Sequence, residues 1–549
     1  MKLTRHDIGG ELISIITKGM YADPKDALRE YVQNGVDALA ETISIKIRHN
    51  SISITDDGHG MNKIVMRKAI RVGISDKNPK KSVGFMGIGI YSSLHLCDKL
   101  CIYSKTKDER PHQLTLNFAD IRFDLENQKD LKLEGQSESE QQIDLQTLLE
   151  NNIEFTELDD FEFPKTGTRI EMIGLDGNFF GTLSKYEEVS EYLERVVPLP
   201  FSPEFVHGAK IQKHILDICR KNNAVFRTID LFLDINGNEQ RLFRPYKDSD
   251  FRDKSHPDDS PLEPKFYELN SAEGFLGLAW GCLNNGRRTI PNGKVRGFII
   301  KKQGFTIGKR EDLIVHYGRP TYFNRYVGEF IAVHPKLLPN GPRTDFEHSS
   351  IRTTFYGVLQ QIAIKFNKVA DEYQEHQKAE EDLYSAIEKY NEITAQIEFF
   401  QDNGDKLLDF FQTLNTINSS LKKKLDADKL KGSNNEKAHE TIKGINGLLE
   451  DIKSYLDIKK NKKRKVTVTN NSSIIAKIIT PNLIKPLEPS AENLIEVIQM
   501  IGLELNTDLK TIIDIIDEKF IKSQSFSRED YLKKLNDLKQ DIEEIYESE

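Results

Sequence analysis

A segment of fifteen residues, ALREYVQNGVDALAE (residues 27–41), constrains the fold more than any other part of the 549-residue chain. Its apolar residues recur with the period of a helix, yet Glu30, Asn34 and Asp37 stand at i, i+4 and i+7 and therefore share one face. A helix with two carboxylates and an amide in one row either exposes that row to solvent or forms the wall of a polar site. The rest of the sequence has to decide between these two interpretations.

The composition indicates a globular protein of several domains. A chain of this length exceeds one hydrophobic core, and 38% hydrophobic with 30% charged residues is typical of a globular protein with a charged, helix-rich portion. The net charge of −9 argues against a chain-wide nucleic-acid surface but leaves a local one open. The four cysteines lack the spacing of a zinc site or a disulfide framework. Without a signal peptide or an apolar run of membrane-spanning length, we expect a cytoplasmic protein with no membrane contact.

The pattern along the chain predicts an α+β fold in four parts. Alternating isoleucines over residues 43–54 predict a hairpin, and further strand patterns occur at residues 167–175, 228–237 and 294–307. After Ser350, glycine and proline become scarce and helical periodicity takes over. The predicted domains are a first α/β unit (1–183), a second mixed α/β unit (184–350), a long helical or coiled-coil region (351–460) and a helical C-terminal domain (461–549).

Three segments of the first unit carry residue types that suit a nucleotide. Asn34 could hold Mg²⁺ through its amide oxygen, and Glu30, one turn away, could deprotonate a water that attacks a phosphoryl group. Asp56, in ITDDGHGMNK, could accept a hydrogen bond from the exocyclic amine of adenine. The glycines of KSVGFMGIGIYSS could cradle phosphates with backbone N–H groups. Taken singly, these segments are more commonly a solvated helix face and a glycine-rich turn.

In this order, together with Gly167-Thr168 at a strand entry, the motifs resemble those of the gyrase, heat-shock chaperone, histidine kinase and MutL (GHKL) ATPase superfamily. The resemblance is densest over residues 10–107, where it is closest to the ninety-kilodalton heat-shock chaperones. It implies a Bergerat-fold α/β sandwich, bound ATP and Mg²⁺, Glu30 as general base and Asn34 as the metal ligand. The nucleotide-binding residues that it implies are Asn34, Asp37, Asp56, Gly58, Gly60, Met61, Lys77, Gly84, Gly87, Ile88, Gly89, Ile90 and Thr168.

The second unit supplies a further candidate. LPNGPRTDF (residues 338–346) resembles the chaperone loop that sends an arginine to the γ-phosphate, which implies a catalytic role for Arg343 with Asn340 beside it. Other cations of the same unit could serve instead: Lys301, Lys302, Lys309 and Arg310. The short lid between Met61 and Val83 is more similar to those of MutL and Microrchidia-type ATPases, and makes Lys77 a candidate phosphate contact.

The resemblance implies an ATP-driven homodimeric clamp that acts on a protein client. The alternative is a Microrchidia-like or MutL-like clamp on DNA, for which a restriction or anti-phage system is one setting. The basic run KKNKKRK (residues 459–465) would then contact phosphates, although a solvated linker is the more common role of such a run. The apolar stripe Leu383–Ile397 predicts dimerisation through the helical region, with packing inside the chain as the alternative.

Overall fold

The structure of the chain is a computed structural model that describes residues 7–21, 23–77, 84, 86–133, 142–160, 163, 165–401 and 403–462. The predicted C-terminal domain (461–549) and the end of the basic run (459–465) lie outside the described residues from position 463 onward. The described residues form two compact units. The first contains residues up to Asn391 together with Ile417–Ile442, and the second contains Glu392–Thr416 and the described residues from Lys443 onward.

An eight-stranded mixed sheet organises the N-terminal part of the first unit, with the strand order β5-β4-β3-β6-β2-β1-β7-β8. Its strands are β1 (Thr42–Arg48), β2 (Ser51–Asp56), β3 (Cys97–Lys105), β4 (His112–Asn117), β5 (Ile153–Glu157), β6 (Gly167–Leu175), β7 (Asp230–Ile235) and β8 (Asn238–Leu242). The helices of this region are α1 (Glu11–Met20), α2 (Lys25–Asp37), α3 (Lys63–Ala69), α4 (Phe118–Leu133), α5 (Leu145–Asn151), α6 (Gly177–Leu183), α7 (Tyr186–Val196) and α8 (Gly208–Lys221).

The predicted hairpin is confirmed. Strands β1 and β2 pair antiparallel with Ile45 opposite Ile54 and Ile47 opposite Ile52, and all four isoleucines are buried. Their alternation places one face of the hairpin in the core, as period-two patterning requires.

The predicted helix over residues 27–41 is present as α2, but it begins at Lys25 and ends at Asp37. The end is earlier than expected because Leu39 adopts a left-handed backbone conformation, with φ of +65°. That turn leads the chain into β1 within a few residues. The pairing of β1 in the sheet therefore ends the helix, despite the helical propensity of the sequence.

Strands β7 and β8 lie in a different place from the one predicted. The sequence pattern places the alternating run at residues 228–237 in the second α/β unit, whereas β7 pairs in parallel with β1 and extends the first sheet. Leu231, Leu233 and Ile235 join the core of that sheet. The first sheet therefore continues beyond the predicted boundary at residue 183.

A five-stranded sheet follows, with the order β12-β11-β13-β10-β9. Its strands are β9 (Lys265–Ser271), β10 (Gly274–Leu283), β11 (Gly297–Lys302), β12 (Phe305–Ile307) and β13 (Tyr326–Ala332), and a short helix, α9 (Pro320–Phe323), precedes β13. Three helices complete the described chain: α10 (Ser350–Gln396), α11 (Gly404–Asp426) and α12 (Ser433–Lys462).

The first turns of α10 belong with the second sheet. Phe355, Leu359 and Phe366 are fully buried and share one core with strands β10, β11 and β13. The helical region predicted to begin at residue 351 therefore supplies part of the core of the preceding unit. A truncation after Arg352 would remove these side chains from that core.

The helical stripe Leu383–Ile397, for which the sequence predicts dimerisation, begins in the first unit and continues into the second. Leu383 is fully buried, and Ile393 is 2% exposed. Beside the stripe, Lys424 pairs with Asp382, and Tyr384 hydrogen-bonds Asn434. Dimerisation through this stripe stays a prediction.

No helix in the described part of the chain combines the length and the apolar character that a membrane crossing requires.

The pairing of β7 with β1 gives a stability prediction. The Asp234 carboxylate accepts hydrogen bonds from Arg48 at 2.9 and 2.6 Å and from the Gly237 backbone N–H at 2.8 Å. Asp234→Ala should lower the free energy of unfolding by about 1–3 kcal/mol, because these bonds are charge-assisted and the Asp234 carboxylate is buried. Asp230→Ala, at the other end of β7, should change it by less than about 1 kcal/mol, since its ion pair with Arg241 is exposed. Urea denaturation measures both, and equal losses would contradict the assignment of β7.

Candidate nucleotide-binding site

A cavity of about 600 Å³ lies beside α2, one end of strands β2 and β6, and the loop that follows β13. Residues far apart in the sequence meet at its wall. Those predicted from the sequence that line it are Glu30, Asn34, Asp37, Asp56, Met61, Lys77, Gly84, Gly87, Gly89, Ile90, Thr168 and Arg343. The polar row of α2 is therefore the wall of a cavity, while the individual role of each residue stays a prediction.

The polar face of α2 is largely withdrawn from solvent. Glu30 is only 7% exposed, and Leu28, on the apolar side of the helix, is fully buried in the core. The glycine loop approaches closely, because a Cβ built at Gly89 would stand 3.1 Å from Glu30 Oε2. Glu30 and the loop predicted to bind phosphate are therefore neighbours, as a base acting at a phosphoryl group requires.

A lysine ammonium lies between the predicted metal ligand and its neighbour on α2. Lys77 Nζ donates to Asn34 Oδ1 at 2.8 Å and to Asp37 Oδ2 at 2.7 Å, and the Gly84 backbone N–H also points at Asp37 Oδ2 at 3.2 Å. These oxygens thus already accept a cation. Amide and carboxylate oxygens are ligands that Mg²⁺ prefers, so the residues present fit such an ion.

Asp56 lies at the end of β2 and faces the same cavity. Its Oδ1 accepts a hydrogen bond from the Gly58 backbone N–H at 2.9 Å. Burial raises the pKa of the Asp56 carboxyl to about 6, and hydrogen bonds from backbone N–H groups oppose that rise. The adjacent Asp57 has a different task, since it accepts hydrogen bonds from the backbone N–H groups of Glu41 and Thr42 at the start of β1.

A buried serine that sequence reasoning missed connects the segments around Asp56. The Ser104 hydroxyl lies 2.9 Å from Thr168 Oγ1, donates to the Gly167 carbonyl at 3.0 Å and accepts from the Met61 backbone N–H at 2.8 Å. Ser104 therefore fixes Thr168 and Met61 relative to each other. Nothing in its strand sequence distinguishes it from an ordinary core serine.

Some predicted contacts lie behind the cavity wall. Gly58, Gly60 and Ile88 do not line the cavity. Gly60 has φ of +68°, and a Cβ built there would stand 2.1 Å from the Lys105 carbonyl oxygen, so only glycine permits this strand approach. Gly58 acts on the site through its hydrogen bond to Asp56, whereas Ile88 is a buried residue beside the glycine loop.

The loop after β13 brings Arg343 into the cavity. Its Nε donates to Glu30 Oε1 at 3.1 Å, and both side chains are 9% exposed. Asn340 organises the loop, because its side-chain oxygen accepts the Thr344 backbone N–H at 2.9 Å and its backbone N–H donates to the Asp345 carbonyl at 2.8 Å. Arg343 adopts φ of +58°, a strained conformation that the surrounding turn holds in place.

Two of the four other candidate cations, Lys301 and Lys302, bind backbone carbonyl groups. Lys301 Nζ donates to the Arg195 carbonyl at 2.6 Å, and Lys302 Nζ donates to the His334 carbonyl at 2.8 Å. Burial lowers the pKa of both lysines to about 7. Neither lines the cavity that contains Glu30.

The other two rivals line a second, larger cavity of about 1270 Å³, whose wall includes Arg343 but not Glu30. There Arg310 donates to the Gly297 carbonyl at 2.8 Å. Of the five cations considered from the sequence, Arg343 alone lines the cavity that contains Glu30. We take the smaller cavity as the nucleotide site because it holds Glu30, Asn34 and Asp56 together.

Sequence reasoning also missed Tyr21, His59 and Gln33, which line the cavity. Burial raises the pKa of the Tyr21 phenol above its usual range, and the nearby negative charge of Glu30 adds to the rise. Gln33 could have been found from spacing, since it stands three residues after Glu30 on the same helical face.

With this geometry in place, comparison with known proteins identifies the kind of domain. Residues 21–154 match the family model of the histidine kinase-, DNA gyrase B-, and HSP90-like ATPases. The match supports a GHKL-type domain in this part of the chain, and domains of this type bind ATP, usually with Mg²⁺. No curated protein sequence matches the chain.

The raised pKa of Asp56 gives a pH prediction. A protonated carboxyl loses the charge that strengthens its hydrogen bond to an adenine amine, so ATP affinity should rise as pH increases through about 6 and level off above about 7. At pH 5 the loss should reach about tenfold. Folding stability should change in the opposite direction, falling as pH rises from about 4 to about 6, because the folded state holds this proton more tightly.

Calorimetric titration of wild type and Asp56→Asn across pH 5–8 measures the affinity change. The nucleotide titrates alike in both, so only the difference between them reports Asp56. An identical pH dependence of the two proteins would remove Asp56 from the adenine site.

Proposed function

We propose that the chain is a Mg²⁺-dependent ATPase in which the N-terminal sheet domain and the following α/β region both contribute residues to ATP hydrolysis. The observation that carries this proposal is the buried ion pair between Glu30 and Arg343, residues 313 positions apart, at the wall of the cavity that also holds Asp56. A catalytic base and a phosphate-sensing arginine in contact would make hydrolysis depend on both regions.

Residues of this chain can serve the main steps of ATP binding and hydrolysis. Asp56 accepts a hydrogen bond from the adenine amine, and the backbone N–H groups of the glycine loop hold the phosphates. Asn34 would hold Mg²⁺, which neutralises charge on the phosphate oxygens when bound. Glu30 orients the attacking water and takes its proton.

Arg343 has an N–H donor group that could bind the terminal phosphate. Its Nη1 is buried and has no hydrogen-bond partner among the described residues, while its Nε is engaged by Glu30. A γ-phosphate would give this guanidinium a second anionic partner and stabilise charge in the transition state. Glu30 would then be released for the attacking water.

We further propose that the ATPase works as a homodimeric clamp on a protein client. The support is the resemblance of the first domain to the heat-shock chaperones and the contact through which Arg343 would pass the nucleotide state to the second sheet. A pull-down with a Glu30→Ala variant in ATP, analysed for protein and for DNA, would distinguish this clamp from the DNA-bound alternative.

Glu30→Ala should leave ATP binding intact and slow hydrolysis by about 10²–10⁴-fold, because a general base contributes that much. Calorimetry measures binding, and phosphate release measures turnover. A variant that hydrolyses ATP at the wild-type rate would exclude Glu30 as the base.

Arg343→Ala should slow hydrolysis by about 10²–10³-fold, the effect of removing one donor to the transition state. Lys309→Ala is the matched control, because Lys309 is a cation of the same region that lines the other cavity. Its turnover should stay at the wild-type level. The opposite result, with Lys309→Ala inactive and Arg343→Ala active, would assign the phosphate-sensing role to Lys309.

Light scattering of the full-length chain tests the dimer. The clamp proposal expects a dimer at micromolar concentration, at least with a non-hydrolysable ATP analogue and Mg²⁺ present. A monomer with and without the analogue would contradict the clamp while leaving the ATPase proposal standing.

A further inference from the structure

Gln33 is a fourth polar residue on the cavity face of α2. It stands three residues after Glu30 and four before Asp37, so the helical period places all three on one side. Its side chain is fully buried, with 0% exposure. Neither its amide nitrogen nor its amide oxygen has a hydrogen-bond partner among the described residues.

An amide in this state destabilises the folded protein. A buried polar group without a partner loses its hydrogen bonds to water and gains none in return. Native proteins satisfy nearly all buried polar atoms, so a glutamine with both ends unpaired at a cavity wall indicates a partner that binds there.

The surroundings of Gln33 identify the kind of partner. A Cβ built at Gly84 would stand 2.5 Å from Gln33 Nε2, so the amide lies directly against the glycine loop. The same point is 3.2 Å from Asp37 Oδ2 and 3.5 Å from Lys77 Nζ. Gln33 therefore belongs to the end of the cavity where a lysine, glycine N–H groups and the predicted metal ligand converge.

We propose that Gln33 binds the phosphate chain of the nucleotide, with Nε2 donating to a non-bridging oxygen of the β- or γ-phosphate. This inference rests on the proposed binding of ATP and adds a specificity for the triphosphate over the monophosphate. The neutral amide suits the position, because it donates to an anion while adding no negative charge beside Asp37. A carboxylate of the same size would repel the phosphates.

Gln33→Leu tests the proposal through two readouts of opposite sign. It should raise the thermal unfolding temperature of the nucleotide-free protein, because an unpaired amide is replaced by an apolar group of similar volume. It should weaken ATP affinity about tenfold or more, the loss expected for one hydrogen bond to a charged group. AMP affinity should change by less than about twofold, since AMP lacks the β- and γ-phosphates.

Gln212→Leu is the matched control. Gln212 lies on α8 and does not line the cavity. Both of its amide atoms are also buried, and neither has a hydrogen-bond partner in the part of the chain that the structure describes. This variant should also gain stability, yet bind ATP and AMP as the wild type does. Gln33→Glu should bind ATP more weakly than Gln33→Leu does, because its charge repels the phosphates. If Gln33→Leu fails to fold, Gln33→Met carries the same comparison.

Equal ATP affinity of wild type and Gln33→Leu would overturn the inference and leave the proposed function intact. Equal losses for ATP and AMP would also overturn it, since they would report a distorted cavity. A wild-type chain that binds neither nucleotide would overturn the proposed function, and this inference with it.

Discussion

The buried ion pair between Glu30 and Arg343 is the contact on which the site depends. The buried carboxylate of Glu30 requires a cation or hydrogen-bond donors nearby, because an unpaired buried charge is strongly unfavourable. Arg29 Nη2 lies 3.9 Å from Glu30 Oε1, and the closer partner is Arg343, which the loop after β13 holds in a left-handed conformation. The polar face of α2 therefore connects the first sheet to the region that contains the second sheet. Any substitution of Glu30 removes a contact of the loop that contains Arg343.

Positive charges brought from other segments make this acidic face suitable for an anionic ligand. Glu30 and Asp37 alone would repel a triphosphate, but Arg343 contacts the first and Lys77 the second. Both cations have donors that a phosphate could use, and both sit on loops. The cavity thus combines acidic side chains of α2 with cations from two other segments of the chain.

Some elements of the fold and some residues of the site could be predicted from the sequence, and others could not. Helix α2 and the β1–β2 hairpin followed from hydrophobic periodicity, which local sequence fixes. The pairing of β7 with β1 did not, because an alternating strand fits either sheet and only tertiary contacts choose between them. Arg343 could not be separated from its rivals by residue type, since burial and loop geometry alone direct it to Glu30. Gln33 was not predicted, because a glutamine in a helix is usually exposed to solvent.

The most direct test of the central claim is a crystal structure of the full-length chain with a non-hydrolysable ATP analogue and Mg²⁺. The account predicts the adenine amine against Asp56 and the Arg343 guanidinium on the terminal phosphate. It also predicts that Lys77 has left Asn34, because an ammonium and a metal ion at the same amide oxygen would repel each other. A nucleotide bound in the larger cavity, or Arg343 paired with Glu30 alone while ATP occupies the smaller one, would contradict it.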